Sequence, residues 1–298
     1  MVLASFAADS LSLGAHWIYD VQKITDTYGR IESLIKPGPD SYHNTKNAGE
    51  FTHYGDQTYI LLQSLAAEKA FDLNDFSSRW QKMFENYNGY IDGATSKTLA
   101  YYAKGRSPEK AGSHTGDFGG PARIAPLVYL YSDDIETLVE SVRTQTAMTH
   151  NDPNTLDTAE FFARAVVLVL NGSSPVEALK QTAASHFDMS PISMWVSDGI
   201  KSKDQDTISV ISGFGQACST SLVFPGVIHL IARYENDLKE ALIQSIMAGG
   251  ESAARGAVTG MILGAYLGIE QLPQEWTAGM KKISEIKKLL DSLIEDLN

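Results

Sequence analysis

Apolar residues return every three or four positions along most of this chain, the repeat of one face of an α-helix. In residues 3–15, Leu3, Phe6, Ala7, Leu11 and Gly14 share such a face, with Asp9 set inside it. Residues 59–71 place Leu61, Leu62, Leu65 and Ala66 on a core face, with Asp56 as the expected N-cap. Residues 76–87 carry Phe76, Trp80, Met83, Phe84 and Tyr87 at helical spacing behind a cap at Asn74. The same pattern predicts helices over 93–104, from Pro121 onward, and over 133–148, 154–170, 219–233, 236–247, 274–279 and 281–297. Ser174, Pro175 and Glu177 form a capping box that opens another. Two stretches break the rhythm. Residues 21–55 read as mostly irregular, interrupted by Pro37 and Pro39, and the β-branched run at 207–211 predicts a short strand without a partner. With no repeat, linker or βαβ alternation, the expected fold is all-α, a single compact multi-helix domain over 1–298.

One predicted helix organises the rest. Gly249 and Gly250 turn the chain, Glu251 opens the helix, and glycine then recurs at 256, 260, 264 and 268. That spacing makes a smooth groove for a neighbouring backbone. Each glycine costs roughly 1 kcal/mol relative to alanine in a helix interior, so the run needs a packing reason. Glu251 and Arg255 then have two readings. They form a surface pair, or they line a pocket at the buried mouth of the helix.

Composition narrows the function. A net charge of −12 argues against a nucleic-acid binder and an anionic membrane surface. Cys218 is the only cysteine, which excludes an intrachain disulfide and fits a reducing compartment. The apolar start at residues 1–8 lacks a basic flank and meets Asp9 early, so no signal peptide is expected. The run 257–269 is too short to span a bilayer. The expectation is a cytoplasmic protein whose partner is a small molecule, with no nucleic acid and no membrane.

Polar and aromatic residues concentrate in a few places. His16, Trp17, Tyr19 and Asp20 follow the first helix, and His53, Tyr54, Asp56 and Gln57 precede the helix at 59. Gly119 and Gly120 lead to Pro121 and Arg123, a cation near a helix N-terminus that calls for an acidic partner or an anionic ligand. His150 and Asp152 sit where one helix gives way to the next, as a cap and its brace or as site residues.

The order of these clusters resembles the ADP-ribosylglycohydrolase family over roughly residues 1–276. Asp9-Ser-Leu-Ser-Leu-Gly14 is similar to the family's N-terminal Gly-Asp-Ala-Leu-Gly motif, and Gly119-Gly-Pro-Ala-Arg123 is similar to its substrate-contacting segment. Thr149-His-Asn-Asp-Pro153 matches its Thr-His-x-Asp-Pro run, and Gly249–Gly268 resembles its last motif. The strings around His16 and His53 resemble the branch near the J-type lens crystallins. The resemblance implies an all-α fold and, in the family, two magnesium ions. Here Tyr54 and Gly55 stand where two ligand aspartates belong, Ala253 replaces another, and Glu251 alone keeps a carboxylate. No cofactor is therefore expected. Magnesium would return only if the ligand motifs align differently. The segments the family brings together make Asp56, Glu251, His53, Asp9, His16 and Asp20 the catalytic candidates. Tyr54, Gln57, Gly119, Gly120, Arg123, His150, Asp152 and Arg255 are the substrate-binding candidates, with Arg123 offered to a diphosphate. Glu251 beside Arg255 is expected to be ionised. Two functions follow: a divergent hydrolase of an ADP-ribosyl, ribosyl or similar small substrate, or a non-catalytic structural or ligand-sensing protein of the J-crystallin kind.

Overall fold

The computed structural model describes residues 1–295. Its helices begin with α1 (Val2–Ser12), α2 (Val21–Tyr28), α3 (His53–Glu68), α4 (Leu73–Phe84), α5 (Gly93–Tyr102), α6 (Ala125–Tyr131), α7 (Ile135–Ala147) and α8 (Pro153–Leu170). They continue with α9 (Pro175–His186), α10 (Pro191–Lys201), α11 (Thr207–Phe214), α12 (Thr220–Arg233), α13 (Leu238–Met247), α14 (Ser252–Leu267), α15 (Gln274–Gly279) and α16 (Ile283–Glu295). Among the described residues there is no strand, only isolated bridges such as Ser113 with His150. The end of the last predicted helix lies outside the described residues.

Short polar side chains set where the helices start, because each accepts a backbone N–H that the first turn leaves unpaired. Asp20, Thr52, Asp72, Asp92, Asp134, Asp152 and Ser174 all do so. Several expectations change here. Thr52, not Asp56, caps α3, which begins six residues before the predicted start. Asp72 rather than Asn74 caps α4. Residues 21–28 form a helix within the stretch read as irregular. Pro121 opens only a 3-10 turn, Pro121–Arg123, ahead of α6. The expected strand at 207–211 is instead α11, because Asp206 accepts from Ser209 N–H and starts a helix that local β-preference does not prevent.

The glycine groove is real. A Cβ on Gly260 would lie 2.7 Å from the carbonyl oxygen of Ala4, and one on Gly264 would lie 2.5 Å from the Ala4 Cβ. So α1 lies directly on α14, backbone to backbone. Residues 252–264 are all buried, and one hydrophobic core runs from Val2 through Phe6, Leu61, Phe161 and Ile262 to Leu293. The N-terminal end of α14 is fully buried. No helix among the described residues is long and apolar enough to cross a membrane.

Candidate functional site

The turn before α14 is held in left-handed backbone at Gly249 and Gly250, with φ of 71° and 63°. A Cβ on Gly250 would lie 2.3 Å from the Gln216 carbonyl oxygen, so the turn accepts only glycine there. Opposite, Trp17 adopts φ 64°, unusual for a bulky residue. Its N–H donates to Gly250 O at 3.0 Å, and Gly250 N–H donates to Ile18 O at 2.9 Å. This reciprocal pair fixes the indole against Glu251.

Glu251 is fully buried and occupies the N-cap position of α14 without capping it. Its Oε2 accepts from Trp17 Nε1–H at 2.7 Å and from the Tyr54 hydroxyl at 3.3 Å. Its Oε1 has no hydrogen-bond partner among the described residues and lies 3.7 Å from His16 Nε2. Ala253 N–H donates to His16 Nδ1 at 3.3 Å, which places the imidazole proton on Nε2, facing that oxygen. Burial pushes the Glu251 carboxyl up to about 7, against the pull of the Trp17 bond and the Arg255 charge. Burial also holds His16 well below its ordinary value. The expectation of a simply ionised Glu251 is therefore corrected: desolvation outweighs the nearby cation.

Arg255 explains why. It is buried rather than on the surface, and it turns away from Glu251. Its Nη2 donates to the carbonyls of Ser245 and Gly249, and its Nε donates to Ser245 Oγ at 3.3 Å. These carbonyls close the C-terminus of α13, where a cation is favoured. No direct ion pair joins Glu251 and Arg255 among the described residues, so neither the surface pair nor an internal one forms.

Two further histidines extend the cluster. His43 Nε2 lies 3.2 Å from His53 Nδ1, and His53 Nε2 lies 3.3 Å from Asp92 Oδ2. The rings of Trp17, Tyr42 and Tyr90 meet edge-on above these imidazoles, with centroids 4.9 to 5.4 Å apart. A cleft of about 360 Å³ reaches His16 and Trp17 from outside, bordered by Tyr19, Asp20 and Tyr42.

The other candidates scatter around this centre. Asp9 accepts from the backbone N–H groups of Thr52 at 2.8 Å and Gly55 at 3.2 Å, tying α1 to the start of α3; burial raises its carboxyl to about 7. Asp56 is turned away, paired with Lys46 and accepting from the Tyr87 hydroxyl at 2.8 Å. It faces a separate recess of about 270 Å³. Asp20 caps α2 at the cleft rim, in solvent. Arg123 is buried and donates to Gln57 Oε1 at 2.8 Å, Gln145 Oε1 at 3.3 Å and the Thr149 hydroxyl. Thr149 in turn meets His150 Nδ1 at 2.8 Å. Arg123 is thus a brace behind the site and is not offered to a diphosphate. Gly119 lets Tyr54 and His150 approach, since a Cβ there would be 2.8 Å from the Tyr54 ring. Gly120 packs on Thr146 and gives its carbonyl to Gln145, and Asp152 caps α8. Sequence reasoning missed His43, Tyr90 and Asp92. Asp92 carried a signal, an N-cap residue directly before the predicted helix at 93, whereas His43 lay in a stretch without periodicity.

The family model for ADP-ribosylglycohydrolase matches residues 1–298. The chain belongs to the ADP-ribosylglycohydrolase family. It is 24% identical to crystallin J1A of Tripedalia cystophora over 313 residues, covering 98% of this chain and 94% of the crystallin. It is 26% identical to ADP-ribosylhydrolase ARH3 of Mus musculus over 319 residues, covering 92% of this chain and 85% of that protein. A solved structure described as an ADP-ribosylglycohydrolase-related protein complex superposes with a TM-score of 0.77 at 24% identity, covering 99% of this chain and 95% of that one. The shared fold and the family are thereby established.

This family member departs from a magnesium cradle in its donor chemistry. Magnesium needs near-octahedral oxygen coordination, supplied largely by carboxylates. Gly55 offers no side chain, and a Cβ there would stand 2.4 Å from Asp9 Oδ2. Tyr54 donates to Glu251, Asp56 is held by Lys46, and Ala253 has no donor. What surrounds Glu251 is imidazole and indole. No group of three His, Cys, Asp or Glu among the described residues is arranged to hold a metal. The residues present do not fit two magnesium ions.

Proposed function

We propose that this chain, acting as one unit over residues 1–298, is a divergent hydrolase that cleaves a glycosidic bond in an ADP-ribosyl, ribosyl or similar small substrate without the two-magnesium site. The observation that carries this reading is Glu251. Its carboxyl is raised to about 7, its Oε2 is fixed by two donors, and its Oε1 is free beside His16. A general acid–base group works best when its pKa lies near the working pH. Protonated Glu251 gives its proton to the departing atom as the glycosidic bond breaks. Water adds to the sugar carbon, and its proton returns to the carboxylate. His16 Nε2–H steadies the carboxylate during the exchange. The substrate approaches through the cleft beside Trp17 and Tyr42, which reaches His16 next to Glu251.

The test is release of ADP-ribose from an ADP-ribosylated peptide in EDTA, followed by chromatography for wild type and Glu251→Gln. Release that persists in EDTA and is lost in the variant supports the proposal. Release that requires magnesium defeats it.

A second reading has its own support. Glu251, Arg123 and Arg255 are fully buried, and both arginines are engaged by internal oxygens, as befits a stable body related to a crystallin. If no ADP-ribose is released and ADP-ribose leaves the melting temperature unmoved, the structural role stands. A bound ligand at a hundredfold excess over its Kd adds about 2.7 kcal/mol to stability.

A further inference from the structure

We infer that Asp92 acts through His53 on His43 as a positioning relay, which leaves His43 Nδ1 as a buried acceptor for a hydroxyl or N–H group of bound ligand or water. Asp92 is rigid: its Oδ1 accepts from Thr95 N–H at 2.7 Å and its Oδ2 from the Thr95 hydroxyl at 3.0 Å. Its Oδ2 stands 3.3 Å from His53 Nε2, off the line of a well-formed hydrogen bond. A lone pair on that nitrogen would face a negative oxygen, so Nε2 carries the proton. His53 Nδ1 is then an acceptor, and the nitrogen opposite it, His43 Nε2 at 3.2 Å, must donate. His43 Nδ1 is left with a lone pair.

That atom is buried and has no donor among the described residues. A buried acceptor without a donor is costly, which favours a guest that supplies one. Both rings are neutral: burial pulls His43 down to about 2 and His53 to about 3, aided by the charges of Lys46 and Arg123. The His43 ring stands 5.4 Å from His16 and 5.7 Å from Trp17, so a donor held there lies beside the Glu251 cluster. The relay rests on the hydrolase reading only when its guest is taken to be a substrate hydroxyl. The tautomers belong to the resting protein, so the two ideas fail separately.

The experiment is long-range 1H–15N imidazole spectroscopy on uniformly labelled full chain, without ligand, across roughly pH 5 to 8. His43 and His53 are expected as neutral rings protonated at Nε2. Asp92→Asn keeps the α5 cap. Its oxygen must still accept from Thr95 N–H, so its NH2 takes the place of Oδ2 and donates to His53 Nε2. The His53 proton then moves to Nδ1, and His43 reverses with it. Wild-type His53 protonated at Nδ1, or tautomers unchanged in the variant, overturns the relay. Added ADP-ribose separates the guests. A His43 Nδ1 resonance that moves on titration identifies a ligand hydroxyl, and one already hydrogen-bonded and unmoved identifies water. A resonance with no bonded character in either state sinks the acceptor site.

Discussion

Trp17 Nε1 and Glu251 Oε2, 234 residues apart, meet at 2.7 Å inside the protein. The indole is the shorter of the two donors on that oxygen, and it belongs to a residue whose backbone is itself held in an unusual conformation. Trp17→Phe keeps an aromatic ring, smaller than the indole, and removes the donor. A lost bond to a buried acceptor costs about 1–3 kcal/mol, which a urea titration reads as a lower midpoint. An unchanged midpoint would mean that the bond contributes nothing.

Glu251 gives the protein a pH signature. Its folded value, about 7, is above its ordinary 4.5, so the folded state binds more protons between those limits. Its contribution is fully present below about 4.5 and is lost as pH rises through 7. The buried histidines act oppositely below about 6.5, so the comparison needs Glu251→Gln as reference. Wild type should lose on the order of 3 kcal/mol relative to that variant as pH climbs across the window. Parallel curves would contradict the raised carboxyl.

Arg255 is predicted to matter through α13 rather than through Glu251. Arg255→Met uncovers the Ser245 and Gly249 carbonyls in a buried place and should cost about 2–4 kcal/mol in chemical denaturation. Arg255→Lys, with one point donor in place of a planar fork, should recover only part of it. Complete rescue by lysine would point to charge alone.

Restoring family-like acids should not restore the metal. In Tyr54→Asp/Gly55→Asp the new Cβ at 55 collides with Asp9, whose carboxyl already holds the start of α3. The expected result is a lower melting temperature that magnesium does not raise. A magnesium-dependent rise would show that the cradle is only two side chains away.

How much of this was visible beforehand depends on whether a signal was local. The groove at Gly256, Gly260 and Gly264 was legible because a helix converts spacing into a face. So was the meeting of the His16, His53 and Glu251 segments, through family resemblance. Asp56 was misplaced because Thr52 starts α3 early and rotates Asp56 toward Lys46. Arg123 was misread as a ligand cation because its partners, Gln57, Gln145 and Thr149, are neutral and distant in sequence. At 207–211 the β-branched run concealed a cap at Asp206. His43 gave no warning, since only folding brings it to His53.

The contact between α1 and α14 has a consequence for biosynthesis. Ser12 Oγ reaches the Ser252 carbonyl across 240 residues of chain. At about 5–20 residues per second, a ribosome finishes the first helix roughly ten to fifty seconds before its groove exists. Throughout that interval the apolar face of α1 has only the unfinished chain, or a chaperone, to shelter it from water.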